Sequence, residues 1–242
     1  MQLKSRHIDS ICHATDDRLW DAYNRSTGAK SASLGNSRLI FPVYSGSRNG
    51  ELRVSEQEAR FAFAESIAAT NYFYSIETPT KEGYQLTGSK PMSAQTDLTV
   101  YDSHLRPILN VEFKAKGVST SARSLFTIQK DLQKLLREPI SGMWFHILEA
   151  VDNATISKLF EAIVKAVSET AAEFQSDIQK KLLIFHFCIL RQQFSLSKHI
   201  EIDPQKNWQN NFKNQFQFSY TVNRSSLLKI ENSHGWHVNR LE

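Results

Sequence analysis

Residues 181–190, KLLIFHFCIL, are apolar at odd and even positions alike. Strand side chains alternate between two faces, so a run of this kind is stable as a strand only when both faces are covered. A sheet with one wet face is therefore excluded. The expectation is an α/β architecture, a central mixed sheet flanked by helices.

The rest of the chain supplies the parts. Ile8, Ile11, Cys12, Leu19, Trp20 and Tyr23 share one helical face over residues 6–25. Residues 38–44 and 51–54 flank a turn ending in Asn49-Gly50 and read as a hairpin. Ser55-Glu56-Gln57-Glu58 is a capping-box pattern opening a helix to about residue 70. Strands are expected over 72–78, 95–101 and 107–114, the last two joined as a hairpin through residues 102–106. A helix over 120–137 follows, with Leu125, Ile128, Leu132, Leu135 and Leu136 on its apolar face. A strand at 142–148, a helix carrying Ile156 through Val167, and the strand 181–190 complete the series. In the last fifty residues Trp208, Phe212, Phe216, Phe218, Tyr220 and Trp236 are interleaved with Lys, Arg and Asn, and QFQFSYTV alternates as a half-buried strand. Packing of these aromatics on the sheet is preferred to stacking on bases. No repeat or proline-rich linker divides the 242 residues, which read as one domain. Its parts are an N-terminal helix and hairpin extension (1–54), a core (55–190) and an aromatic, basic C-terminal extension (191–242) packed on that core.

Composition removes several function classes. No apolar stretch is long enough to span a membrane, and charge interrupts the N-terminus before a signal-peptide core can form. No P-loop or G-x-S-x-G segment is present. Two cysteines, Cys12 and Cys188, suit a reduced, cytoplasmic protein better than a disulfide scaffold. Cys12-His13 and the segment His234 to His237 lack a diagnostic zinc spacing, and His146 and His186, in apolar strands, are expected to be core histidines. Charge is mildly basic, 29 Lys and Arg against 25 Asp and Glu, but unevenly spread. Between residues 106 and 137, Arg106, Lys114, Lys116, Arg123, Lys130, Lys134 and Arg137 face only Glu112 and Asp131. That concentration suits a polyanionic partner.

The chemistry-bearing segments are QTDLTVYD (95–102) and PILNVEFK (107–114). In a strand, residues i and i+2 share a face, so Glu112 and Lys114 point the same way. Pairing of the two strands brings Asp97 beside Glu112. Two carboxylates with a neighbouring ammonium outline a site for a hard divalent cation that keeps several waters, as Mg²⁺ does.

This arrangement resembles the restriction-endonuclease-like superfamily, known by its PD-(D/E)xK motif. Asp97 stands for the motif's Asp and Glu112-Phe113-Lys114 for its E-x-K, while Thr96 replaces the motif's Pro. The order helix, three-stranded meander, helix, strand over residues 55–150 also matches. The resemblance implies a restriction-endonuclease-like core and a Mg²⁺-dependent nuclease, Mn²⁺ substituting, that hydrolyses phosphodiester bonds, in DNA before RNA. It implies Asp97, Glu112 and the Phe113 carbonyl as metal ligands and Lys114 as the group that positions or activates the attacking water. It also implies a helix carboxylate completing the shell, for which Glu58 is the candidate and Glu65 the fallback, although Glu58 is equally the capping-box acid. Lys116, Arg123, Lys130, Lys134 and Arg137 would contact phosphates, and a homodimer would serve double-strand cutting. The alternative is a catalytically silent nuclease-like module that binds nucleic acid or a protein partner.

Overall fold

A computed structural model describes residues 5–28, 37–44, 51–84, 92–115, 122–149, 151, 153–173, 182–192, 194–204, 219–222, 228–231 and 236–240. Four helices occur among them: α1 (Ser5–Ser26), α2 (Glu56–Ala68), α3 (Ala122–Arg137) and α4 (Asn153–Glu173). The strands are β1 (Phe73–Tyr84), β2 (Met92–Tyr101), β3 (Pro107–Ala115), β4 (Ser141–Glu149), β5 (Leu183–Leu190), β6 (Phe194–Ile202), β7 (Ser219–Val222), β8 (Leu228–Glu231) and β9 (His237–Arg240). Seven of them form a mixed sheet in the order β1-β2-β3-β4-β5-β6-β9, and β7 pairs with β8 separately. β1, β2 and β3 form an antiparallel meander, β3, β4 and β5 run parallel, and β6 and β9 return antiparallel.

The doubly apolar run is β5, buried at all of its positions. Its alternate residues enter two separate cores. Ile184, Cys188 and Leu190 join Met143 and Phe145 of β4 and Val111 and Phe113 of β3 beneath α1 and α2. Leu183, Phe185, Phe187 and Ile189 join Trp144 and Leu148 beneath α3 and α4. The parallel strands need long crossovers, and α3 and α4 supply them. None of the described helices is long and apolar enough to cross a membrane.

Three sequence expectations change. The hairpin over 38–44 and 51–54 reduces to a single antiparallel bridge, Val43↔Leu52. Pro42, which has no N–H to give a ladder, stands beside it. The Asn49-Gly50 turn lies outside the described residues, as do Trp208, Phe212, Phe216 and Phe218. β1 continues through Pro79 and Gly83 to Tyr84, well past residue 78. It is an edge strand, where a missing donor is tolerated, and the register shifts between those two residues. The C-terminal segment is more than a cover, since β6 and β9 hydrogen-bond into the sheet itself and Trp236 enters the α3–α4 core.

The end of α3 lies directly on the start of β4. A Cβ on Gly142 would stand 2.8 Å from Leu135 Cβ and 3.0 Å from its carbonyl oxygen. Gly142→Ala is therefore expected to destabilise the protein by roughly 1–3 kcal/mol, the usual cost of overpacking a core. Urea melts of both proteins measure it. An unchanged midpoint would mean that α3 yields at this contact without cost.

Candidate functional site

The β2–β3 ladder runs through Val100↔Leu109 and Thr99↔Asn110 to Leu98↔Val111 and stops there. Asp97 and Glu112 are the next residues in that register. Where main-chain pairing ends, Asp97 Oδ2 accepts the Phe113 N–H at 2.8 Å, so a carboxylate takes up an amide that the ladder has released. On the other side of β2 the pairs Ile76↔Leu98 and Thr78↔Thr96 enclose Glu77, which adopts a left-handed φ of 53°. Non-glycine residues rarely adopt this conformation, and where they do it is often at a functional site. Arg60 of α2 joins the two acids, 3.4 Å from Asp97 Oδ1 and 3.6 Å from Glu77 Oε1.

Glu112 and Lys114 project toward α3, as their spacing requires. Glu112 is 1% exposed. Its Oε1 lies 2.7 Å from Lys134 Nζ, a buried ion pair, and makes no other contact of hydrogen-bond quality among the described residues. Lys134 Nζ is also 3.0 Å from Asp131 Oδ1 and donates to the Gln95 carbonyl at 3.0 Å. Asp131 Oδ2 in turn holds Lys114 Nζ at 2.9 Å, and Glu56 at the start of α2 stands 3.6 Å from the same ammonium.

Burial dominates the electrostatics of Glu112. With repulsion from Asp131 and Asp97 added, it outweighs the pull of Lys134 and raises the carboxyl from 4.5 to about 8. Lys114 shows the opposite balance. Burial disfavours its charge, but Asp131 and Glu56 overcome that penalty and hold it firmly as an ammonium. Asp131 is buried as well, and the two lysines keep its pKa below the ordinary value. Five acids (Glu56, Glu77, Asp97, Glu112, Asp131) thus meet three cations (Arg60, Lys114, Lys134), an excess of one negative charge while Glu112 holds its proton and of two once it is ionised.

Asp97, Glu112 and Lys114 stand together. Glu58 does not join them: Ser55 N–H and Oγ donate to its Oε2, and Arg53 reaches Oε1 at 2.9 Å. Its carboxylate serves the capping box, while Glu56, two residues earlier, is the α2 acid that reaches Lys114. Glu65, the fallback, accepts from Ser37 at 2.8 Å and lies 3.6 Å from Arg18. Lys134 was expected on an outward basic face and is instead buried against Glu112 and Asp131. Arg137 is half-buried, its guanidinium 5.2 Å from the centre of the Tyr84 ring. Lys130 is exposed. Lys116 and the side chain of Arg123 lie outside the described residues. Sequence reasoning missed Arg60, Glu56, Glu77 and Asp131. For Asp131 a signal existed: it lies four residues before Leu135 and three after Ile128, beside the apolar stripe of α3 rather than opposite it.

Compared with known proteins, the chain matches no family model, no curated protein and no solved structure. The functional reading therefore rests on its own residues.

A carboxyl whose pKa is higher in the folded than in the unfolded chain favours folding at low pH. Glu112 should lose that contribution as pH rises from 4.5 toward about 8. In the presence of chelator, wild-type stability should fall relative to Glu112→Gln between about pH 5 and pH 8, because the amide has no charge to desolvate. Denaturant melts at several pH values make the comparison. Parallel pH dependences would show that the Glu112 carboxyl is not desolvated.

Proposed function

We propose that this chain is a Mg²⁺-dependent nuclease with a restriction-endonuclease-like core, hydrolysing phosphodiester bonds, in DNA before RNA. One observation carries the reading. Where β2 and β3 part, two acids stand opposite each other, and one of them, Glu112, is buried with the Lys134 ammonium at its Oε1. Lys134 meets part of that charge, and five acids gathered against three bases leave room for a divalent cation as well. The succession α2, the β1–β3 meander, α3 and β4 supports the same reading, since it is the order that the motif's family uses.

Asp97, Glu112 and the Phe113 carbonyl would hold Mg²⁺, with Mn²⁺ as a substitute. Hard oxygen donors, few in number, suit such a cation. Bound there, it would polarise the scissile phosphate and lower the pKa of a bound water. Lys114 has two carboxylates keeping it protonated, which favours a charged donor to water or phosphate over a proton acceptor. Asp131 positions that ammonium. Glu56 replaces Glu58 as the helix acid nearest the site. Of the described basic residues on α3, Lys130 is the one free to meet a phosphate backbone in the proposed complex.

A silent, nucleic-acid-binding module is the second reading, and one observation favours it. Glu112, Lys134, Asp131 and Lys114 form a charge-balanced chain that satisfies much of its own charge internally. Incubation with supercoiled, linear and single-stranded DNA and with RNA, in Mg²⁺ or chelator, decides between the two. Mg²⁺-dependent cutting is expected, with Glu112→Gln and Asp97→Asn each lowering the rate by about 10² or more. Undiminished cutting by purified Glu112→Gln removes the proposal, and Mg²⁺-insensitive binding without cutting establishes the silent module.

Lys114→Ala should lower turnover by about 10² while Mg²⁺ binding, read by calorimetry, is retained. Loss of both together would make Lys114 a structural member of the cluster. In a non-cutting variant, Lys130→Ala should reduce the salt dependence of duplex binding by about one unit of log–log slope. An unchanged slope places the phosphate contacts elsewhere.

A further inference from the structure

A second cluster lies on the opposite face of the sheet, beneath α1. His186 of β5 and His199 of β6 are direct cross-strand partners with ring centroids 5.8 Å apart. Cys12 of α1 completes a trio in which one ligand atom from each residue lies within 4.8 Å of the others. Cys12 and His186 are fully buried, and the His199 side chain is 14% exposed.

The hydrogen bonds of the two imidazoles set the cluster apart from ordinary packing. His186 Nε2 is 3.0 Å from both oxygens of Asp16, itself buried. His199 Nε2 is 3.3 Å from Glu201 Oε1. On both rings Nδ1 is buried and makes no hydrogen bond among the described residues. A carboxylate behind one nitrogen fixes the tautomer that carries the proton there, leaving a lone pair on the other nitrogen, as in metal-binding histidines. Asp16 on one side and Cys12 on the other favour a proton on His186, so a metal ion bound here would displace the proton that His186 and Cys12 share.

Donor type selects the ion. A thiolate and two imidazoles suit a borderline-soft cation and not Mg²⁺. Zinc bonds of about 2.0–2.3 Å would require the three donors to draw together by roughly 1 Å, which side-chain rotation can supply. We infer that Cys12 Sγ, His186 Nδ1 and His199 Nδ1 bind one Zn²⁺ ion, with Asp16 and Glu201 orienting the imidazoles and water in the fourth position. The ion ties α1 to the β5–β6 half of the sheet. It is independent of the proposed nuclease site, whose acids face α3.

Metal analysis of the purified full-length protein after exhaustive dialysis tests this directly, followed by Co²⁺ replacement in chelator-treated protein. The expected results are one equivalent of zinc and, with Co²⁺, both a thiolate-to-metal charge-transfer band and the strong ligand-field bands of four-coordination. Cys12→Ser should abolish the charge-transfer band, Cys188→Ser should retain it, and His199→Gln should weaken zinc binding at least tenfold. His199 is the most peripheral ligand, so circular dichroism of that variant checks that its fold is intact. Wild-type protein that retains no zinc and gives no heat on zinc titration would overturn the inference without reference to any variant. So would a charge-transfer band that survives Cys12→Ser.

Discussion

Covering β4 and β5 on both faces is the constraint from which the rest of the molecule follows. β4 is buried at every position but its two ends, and β5 throughout, so neither can lie at an open surface. Parallel pairing of β3, β4 and β5 forces crossovers that carry helices, and α3 and α4 take one face. The other face must be closed by helices that precede the sheet, which is the role of α1 and α2. At about 25 cal/mol per Å² of apolar surface removed from water, aromatic residues such as Trp144, Phe145, Phe185 and Phe187 contribute heavily to holding these layers together.

That apolar scaffold makes its few buried charges informative. Glu112 occupies the α3 face of β3 next to the Trp144 position of β4, where a leucine would pack without penalty. The chain instead keeps an acid there and surrounds it with Lys134, Asp131 and Lys114. Replacing a buried ion-pair network by apolar groups of similar volume is often neutral or stabilising, so stability alone gives little reason for such a network. The proposed cation site would give such a network a reason. The same reasoning applies to Asp97, which ends a ladder that β2 and β3 could have continued, and to Glu77, whose backbone leaves the favoured region opposite it.

Elements with a clean period were legible from the sequence. α1, α2, α3, β3, β4 and β5 fall close to their expected positions because apolar residues recur at 3.6 or 2, or because every position is apolar. β6 was not anticipated, although Phe194, Leu196, Ile200 and Ile202 alternate with Ser195, Ser197, His199 and Glu201, because Lys198 falls at an apolar position of the period and breaks the run in two. The second half of β1 was hidden by Pro79 and Gly83, whose cost vanishes at an edge. Within the site, strand geometry placed Glu112 and Lys114 together and strand pairing brought Asp97 to them. Helical residues fared worse. Lys134 follows Lys130 by one turn and was grouped with it, yet lies nearer the apolar stripe, and only the packing of α3 on β3 shows which of the two turns inward. Glu56 was not weighed beside Glu58 and Glu65, although the capping box legible in the sequence claims Glu58 and leaves Glu56 in the same first turn of α2 for another role.

The sheet carries two ionisable clusters on opposite faces, and their donor chemistry differs as their surroundings do. Toward α3, hard carboxylate oxygens gather where strands part and water can reach Asp97, which keeps 21% of its side chain exposed. Toward α1, sulfur and imidazole nitrogen meet in a closed layer beside Phe145, on whose ring His186 stacks at 4.8 Å. A cation held near the open end of a ladder can exchange water and admit a charged substrate, whereas one enclosed between a helix and a sheet mainly fixes how those elements sit. Because α1 and α2 pack on each other over the same core that backs Phe113, an anchor on α1 would also stiffen the surface against which Asp97 and Glu112 are set.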